Sequence, residues 1–212
     1  MEIVLATRNK KKVEEIKRIT AGLDVSIFTL DDFPECPDVV EDGATFEENA
    51  IKKAGTVAQY TGKPALADDS GLEVYALNGI PGTLSARYAG EGADDGRNVE
   101  KLLNNMRSME KREARFVCCL ALALPDGSVN IFEGYAEGRI GTEPRGVSGF
   151  GYDPVFYPRG YERSFAEMSD EEKDSLSHRG KALKEFEQFM KQKIKIGNTI
   201  IRGTNNLNLS DK

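Results

Sequence analysis

The chain has 212 residues, 39% of them hydrophobic and 30% charged, which suits a folded domain with a substantial core and excludes a disordered chain of low hydrophobicity. Its net charge of -6, from 29 Lys and Arg against 35 Asp and Glu, lacks the basic balance of a duplex-binding protein, and no apolar run approaches the roughly 20 residues that span a bilayer. With no basic leader ahead of an apolar stretch and no C-x-x-C among Cys36, Cys118 and Cys119, the expected setting is a reducing cytoplasm, with neither nucleic acid nor membrane as partner.

Ile3-Val4-Leu5-Ala6 reads as a short buried strand, and Thr7-Arg8-Asn9 as a polar connection into a helix. Val13, Ile16 and Ile19 recur every three residues along that helix, and Gly22 can close it. Lys10, Lys11 and Lys12 fall in its first turn, where the helix dipole disfavours cations. Either they form a solvated run that tolerates a penalty of roughly a few tenths of a kcal/mol, or an anion such as phosphate sits there among ammonium and backbone N–H groups. The glycines of a Walker loop are missing.

Val25-Ser26-Ile27-Phe28 reads as a second strand, followed by a loop punctuated by Pro34 and Pro37. Thr45 and Glu48 have capping-box spacing for a helix with Ile51, Ala54, Val57 and Ala58 on one side, ending near Gly62. Glu41 and Asp42 precede that helix start, where acidic groups are stabilising; Glu41 is also a candidate metal ligand. Lys53 reads as a surface lysine or a phosphate contact. Asp68-Asp69-Ser70-Gly71 comes next. Adjacent carboxylates repel and Asp, Ser and Gly all form turns, so the stretch is expected to be a turn, solvated or holding a hard cation such as Mg2+.

Residues 72–75 alternate as a strand, and 94–109 form an amphipathic helix with Val99, Leu102, Leu103 and Met106 inward. The longest apolar strand candidate, 114–124, joins 128–132 through Pro125-Asp126-Gly127 in an antiparallel hairpin, with a further strand over 135–140. Phe150, Gly151, Tyr152 and Asp153 belong to a glycine- and aromatic-rich loop. It either brings backbone and stacking rings to a ligand or is a tight turn before a strand at 155–157. Ser169 and Glu172 form a second capping box ahead of Lys173. A last helix turns Ala182, Leu183, Phe186, Phe189 and Met190 inward. His178 is the sole histidine, which excludes a multi-histidine zinc site; beside Arg179 it is a ligand contact or a structural side chain. Residues 194–212 lose the helical period and read as a flexible C-terminal appendage with one short strand around 198–202.

Several motifs now stand in a fixed order: Thr7-x-Asn9-x-x-Lys12, Glu41 with Thr45-Phe46-x-Glu48-Asn49-Ala50, Ala67-Asp68-Asp69-Ser70-Gly71-Leu72, Pro81-Gly82-x-x-Ser85-Ala86-Arg87, Phe150-Gly151-Tyr152-Asp153-Pro154 and Ser177-His178-Arg179. In this order, from the start to about residue 190, the chain resembles the inosine triphosphate pyrophosphatase family. The resemblance implies a cytoplasmic homodimer of α/β subunits. Each would be a nucleoside triphosphate pyrophosphatase domain over residues 1–193, with a long twisted mixed sheet and two lobes flanking a nucleotide-binding cleft. It implies Mg2+-dependent hydrolysis of ITP, dITP or XTP to the monophosphate and pyrophosphate, which removes deaminated purines from the nucleotide pool. By the same resemblance, Glu41 and Asp69 hold Mg2+, and Asp69 also orients or deprotonates the attacking water. Thr7, Arg8, Asn9, Lys10, Lys11 and Lys12 hold the triphosphate with Ser70, while Phe150, Gly151, Tyr152, Asp153, Lys173, His178 and Arg179 form the nucleoside end. Asp68 is left a supporting role through hydrogen bonds or charge. Arg8 departs from the family, which usually has a smaller or neutral residue there.

A donor from a backbone N–H or from Arg179 facing the 6-oxo group would leave adenine mispaired, and hydrogen-bonding sites of this kind discriminate by about 10⁴ or more. Two alternatives compete. A Maf-type nucleotide pyrophosphatase needs a Ser/Pro/Arg-rich first loop, which is absent, and a non-catalytic nucleotide-binding module leaves the two candidate metal carboxylates unexplained.

Overall fold

Short connections and helical crossovers alternate along this chain, and together they dictate a mixed sheet. The computed structural model describes the backbone of residues 1–205 and the side chains of residues 1–193. Glu2–Leu5 (β1) is followed by Lys10–Ile19 (α1), Ser26–Phe28 (β2), Phe46–Thr61 (α2) and Ala65–Val74 (β3). Crossing through α1 and α2 leaves β1 parallel to both β2 and β3. After Asp95–Asn105 (α3), the strands Glu113–Ala123 (β4) and Val129–Ile140 (β5) are joined by a tight turn with Gly127 at φ 88°, so they pair antiparallel. Phe156–Pro158 (β6), Asp170–Leu176 (α4) and His178–Asn205 (α5) complete the order β2-β1-β3-β4-β5-β6. The expected strands at 128–132 and 135–140 are one continuous β5.

The expected turn at Asp68-Asp69 is instead the middle of β3, where the two residues lie opposite Leu120 and Cys119 of β4. Turn propensity loses to ten residues of register with β4, because the pleat sends the two carboxylates to opposite faces and removes the repulsion that argued for a turn. β1 pairs with β3 only at Ala65 and Leu66. From Asp68 onward that edge of β3 has no β1 partner, and it becomes the floor of a cleft.

Both faces of the sheet are covered. Ala65 and Ala67 join Cys119, Ala121 and the α2 residues Ala50, Ala54, Val57 and Ala58, small side chains that let α2 sit close. Leu66 joins Leu5, Cys118, Leu120, Ile16 of α1 and Leu183 and Phe186 of α5 on the other face. At the far end Leu72, Phe116, Leu102, Phe156 and Phe165 form a further cluster. Cys118 and Cys119 therefore lie on opposite faces, and the three cysteines are free.

Helix ends differ in detail from expectation. α1 closes at Thr20 rather than at Gly22. Thr45 caps α2 by accepting from the Glu48 N–H, but Glu48 reaches back to the Ala44 N–H at 2.7 Å rather than to Thr45. Ser169 and Glu172 form the full box. α5 continues through 198–202, where the sequence suggests a strand; the rest of the expected appendage, 206–212, lies outside the described residues. No described helix is long and apolar enough to cross a membrane.

α5 reaches β5 over Gly134, where an added Cβ would stand 2.0 Å from the His178 carbonyl oxygen and 2.6 Å from the Ala182 nitrogen. Gly134→Ala is therefore expected to push α5 off the sheet and to destabilise the fold by about 1–3 kcal/mol in denaturant unfolding. An unchanged midpoint would contradict this packing.

Candidate active site

Each aspartate of β3 meets its own set of cations. On the α2 face, Asn49 and Lys53 are four residues apart and so share one side of the helix, the side that also buries Phe46, Ala50 and Ala54. Lys53 Nζ donates to Asp69 Oδ1 at 3.0 Å and to the Asp68 carbonyl at 2.8 Å, and lies 3.1 Å from Glu41 Oε1. Asn49 Nδ2 donates to Asp69 Oδ2 at 3.2 Å while its own Oδ1 accepts from the Gly43 N–H at 2.8 Å. Burial pushes the Asp69 carboxyl up, and the Glu41 charge adds to this against the pull of Lys53 and Lys12, leaving it at about 6. For Glu41, burial is outweighed by Lys53 and the carboxyl is lowered.

On the opposite face Asp68 accepts from Arg179 Nε at 2.7 Å, Lys12 Nζ at 2.5 Å, Ser70 Oγ at 2.8 Å and Cys118 Sγ at 3.3 Å. Burial works against its charge, yet Arg179 and Lys12 hold the carboxyl well below its ordinary value. Arg179 also donates to Glu15 of α1, and Glu15 accepts from Lys173, which binds Asp153 at 2.7 Å. Asp153 in turn accepts from the Phe150 N–H at 2.8 Å. The network thus runs from Lys12 to the glycine-aromatic loop, and in it three carboxylates meet three cations. On the α2 face two carboxylates share one lysine.

A cleft with about 630 Å³ of empty space, open solvent included, gathers Asn9, Lys12, Ser70, Phe150, Gly151, Tyr152, Asp153, Lys173, His178 and Arg179. These expected residues come together. Others behave differently. Arg8 turns to the 36–38 loop, donating to Asp38 Oδ1 at 2.8 Å and to the Cys36 carbonyl at 2.9 Å, and does not line the cleft. Asn9 caps α1, and its Oδ1 accepts from the Lys11 and Lys12 amides, two of the N–H groups expected for phosphate. Thr7 Oγ1 accepts from the Asn9 N–H. Lys10 is exposed, and Lys11 Nζ lies 5.8 Å from the Phe150 ring centre. Tyr152 is buried with its hydroxyl donating to the Ser85 carbonyl, so it belongs to the wall rather than offering a stacking face. Phe150 keeps a partly open ring with Lys173 and Arg179 at 5.0 and 5.6 Å.

His178 stacks on Phe116 with ring centres 4.6 Å apart and planes 9° from parallel. Burial first, then Arg179, pushes its pKa well below the ordinary value, so it is neutral. Its Nδ1 is buried and has no partner among the described residues.

Glu15 was not among the expected residues, Asn49 had no assigned role, and Lys53, expected at the surface or on phosphate, is instead buried between Glu41 and Asp69 because both carboxylates compensate its charge. The signal was present: Lys12, Glu15, Ile16 and Ile19 form one helical stripe, as do Phe46, Asn49, Ala50, Lys53 and Ala54. A charged residue on a stripe that is otherwise core needs a buried partner.

Among the described residues no group of three or more His, Cys, Asp or Glu side chains is arranged to hold a metal. Glu41 with Asp69 is a donor set suited to Mg2+, which takes one or two carboxylates and completes its shell with water and phosphate oxygens. The Lys53 ammonium between them shows that this position already accommodates positive charge.

Residues 3–189 match the Ham1 family. A dITP/XTP pyrophosphatase of Desulfotalea psychrophila is 51% identical over 193 residues, covering 91% of this chain and 86% of its own length. A dITP/XTP pyrophosphatase of Syntrophobacter fumaroxidans is 53% identical over 193 residues, covering 89% of this chain and 83% of its own. The solved structure of a HAM1 protein from Coxiella burnetii aligns with a TM-score of 0.84 at 42% identity, over 91% of this chain and 99% of that one.

Removing the Asp68 charge leaves the buried Arg179 short of a partner. Asp68→Asn is expected to cost about 3 kcal/mol in denaturant unfolding, as breaking one side of a buried pair does. A loss below about 0.5 kcal/mol would show that Glu15 and Ser70 alone satisfy Arg179.

Proposed function

The chain belongs to the Ham1 family, and from that premise we propose that it hydrolyses ITP, dITP and XTP to the monophosphate and pyrophosphate, with Mg2+ held by Glu41 and Asp69. The observation that carries the reading is the α2-face cluster, where two carboxylates share a single lysine and Asp69 precedes Ser70, which lines a cleft of nucleotide-binding size. The activity is assigned to residues 1–193 acting as a cytoplasmic homodimer, which light scattering can check as twice the chain mass.

Release of pyrophosphate requires water to attack the α-phosphorus. Bound Mg2+ would withdraw charge from the phosphate oxygens. Asp69 takes the proton from the water. Lys53 and Asn49 fix the orientation of its carboxylate for that role. Lys10, Lys11 and Lys12 supply positive charge for the triphosphate, and Ser70 borders it from the strand.

At the nucleoside end the base stacks on Phe150. Every nitrogen of the Arg179 guanidinium already donates to Asp68, Glu15 or Ser70. With the guanidinium held in that network, the donor to the 6-oxo group is assigned to the first amides of α5, at His178 and Arg179, which lack helical acceptors as first-turn N–H groups do. Adenine would point a donor amine at these donors and leave them unpaired.

Incubated with Mg2+, the protein is expected to convert ITP, dITP and XTP to monophosphate and pyrophosphate and to turn over ATP at least about 100-fold more slowly. Orthophosphate released from ITP would refute the cleavage position, and equal turnover of ATP would refute the base recognition. Asp69→Asn and Glu41→Gln are each expected to lose at least about 100-fold in kcat while keeping the wild-type circular dichroism.

The pH dependence follows from Asp69. In the metal-free protein its carboxyl is protonated below about 6, so binding Mg2+ there must displace a proton. Affinity measured by calorimetry is expected to be level above that value and to fall by up to about tenfold per pH unit below it. An affinity that stays flat on acidification would contradict a raised Asp69.

A further inference from the structure

The segment that carries Glu41 has no secondary structure, and none of residues 37–44 takes part in a backbone–backbone hydrogen bond among the described residues. Side chains from the surrounding walls hold it instead. Arg87 Nη2 donates to the Glu41 carbonyl at 3.0 Å. Arg8 donates to the Cys36 carbonyl at 2.9 Å and to Asp38 at 2.8 Å. Both arginines project from anchored structure. Arg87 ends the 3₁₀ turn Gly82–Arg87, which is fastened to β3 by the Leu72 N–H donating to Ser85 Oγ at 2.9 Å. Arg8 sits between β1 and the Asn9 cap of α1.

We propose that Arg87, assisted by Arg8, is a positioning residue that fixes the backbone of the Glu41 loop so that the carboxylate is presented for metal binding. This rests on Glu41 being a metal ligand. Lys53 also holds Glu41, but through the carboxylate itself, a contact with which an arriving cation competes. The Arg87 bond goes to the main-chain oxygen, so it leaves the carboxylate free and persists when the side chain changes partner. Arg8 works at the other end of the loop through an exposed pair, and its share is smaller for that reason.

The test uses the full chain with Mn2+ alone, followed by electron paramagnetic resonance, and amide hydrogen exchange of the metal-free protein. Arg87→Ala is expected to weaken Mn2+ binding about tenfold, the loss of one charged hydrogen bond, and to speed exchange across 37–43. kcat at saturating metal should stay within about twofold, since the loop acts before chemistry. Arg87→Lys should recover part of the affinity. Arg8→Ala, at an exposed position, should cost about two- to fivefold, and adding Asp38→Ala should cost no more; this pair carries the test if Arg87→Ala does not fold. Glu41→Gln is the reference. If it leaves Mn2+ binding unchanged, the metal assignment falls. If it weakens binding while Arg87→Ala and Arg8→Ala change neither affinity nor exchange, the positioning role alone is wrong.

Discussion

The pleat of β3 places Asp68 and Asp69 on opposite faces of the sheet, and the remaining charged groups arrange themselves around that separation. Two adjacent carboxylates in a common environment would repel. Separated by the sheet, each is compensated by cations from a different helix: Lys53 of α2 for Asp69, and Lys12 of α1 with Arg179 of α5 for Asp68. Buried ion pairs add little net stability over a packed apolar pair, but breaking one exposes an uncompensated charge. The network therefore acts as a registration device. It fixes α1, α2 and α5 against one strand, and those are the elements that carry the site.

The two faces differ in their balance of charge. Asp68, Glu15 and Asp153 are matched by Lys12, Arg179 and Lys173, and the chain of contacts ends on the backbone of the Phe150 loop. Charge on that face is balanced within the protein, and the face reads as scaffolding for the nucleoside end. Asp69 and Glu41 share Lys53 and keep a surplus negative charge. A divalent cation has an electrostatic reason to bind on that side. The same imbalance explains the opposite displacement of the two carboxyls, Asp69 upward through burial and its neighbour's charge, Glu41 downward once Lys53 outweighs its burial.

Much of this was legible in the sequence where local physics decides. The α2 cap at Thr45, the full box at Ser169 and the β4–β5 hairpin around Gly127 rest on side-chain oxygens and a glycine φ that any fold would need. The residues lining the cleft were legible only as an ordered set of motifs, since each is a weak signal by itself. The state of Asp68-Asp69 was not legible, because turn propensity is local whereas register with Leu120 and Cys119 comes from about 50 residues away. The side chains of Arg8 and Tyr152 turn to Asp38 and to the Ser85 carbonyl for a related reason: neighbours in sequence say which segment approaches the ligand, not which way a side chain turns within it. Glu15 and Lys53 could have been found. Each is a charge on an otherwise apolar helical stripe, and each proves to be the buried bridge between two other charged groups.

The central claim is that β3 keeps its scaffolding carboxylate on one face and its metal-binding carboxylate on the other. Anomalous diffraction from crystals soaked in Mn2+ tests this most directly. The expected result is a peak between the Glu41 and Asp69 carboxylates, with Asp68 still bound to Arg179 and Lys12. A peak against Asp68, or an Asp68 released from Arg179 to meet the ion, would contradict the division of the two faces.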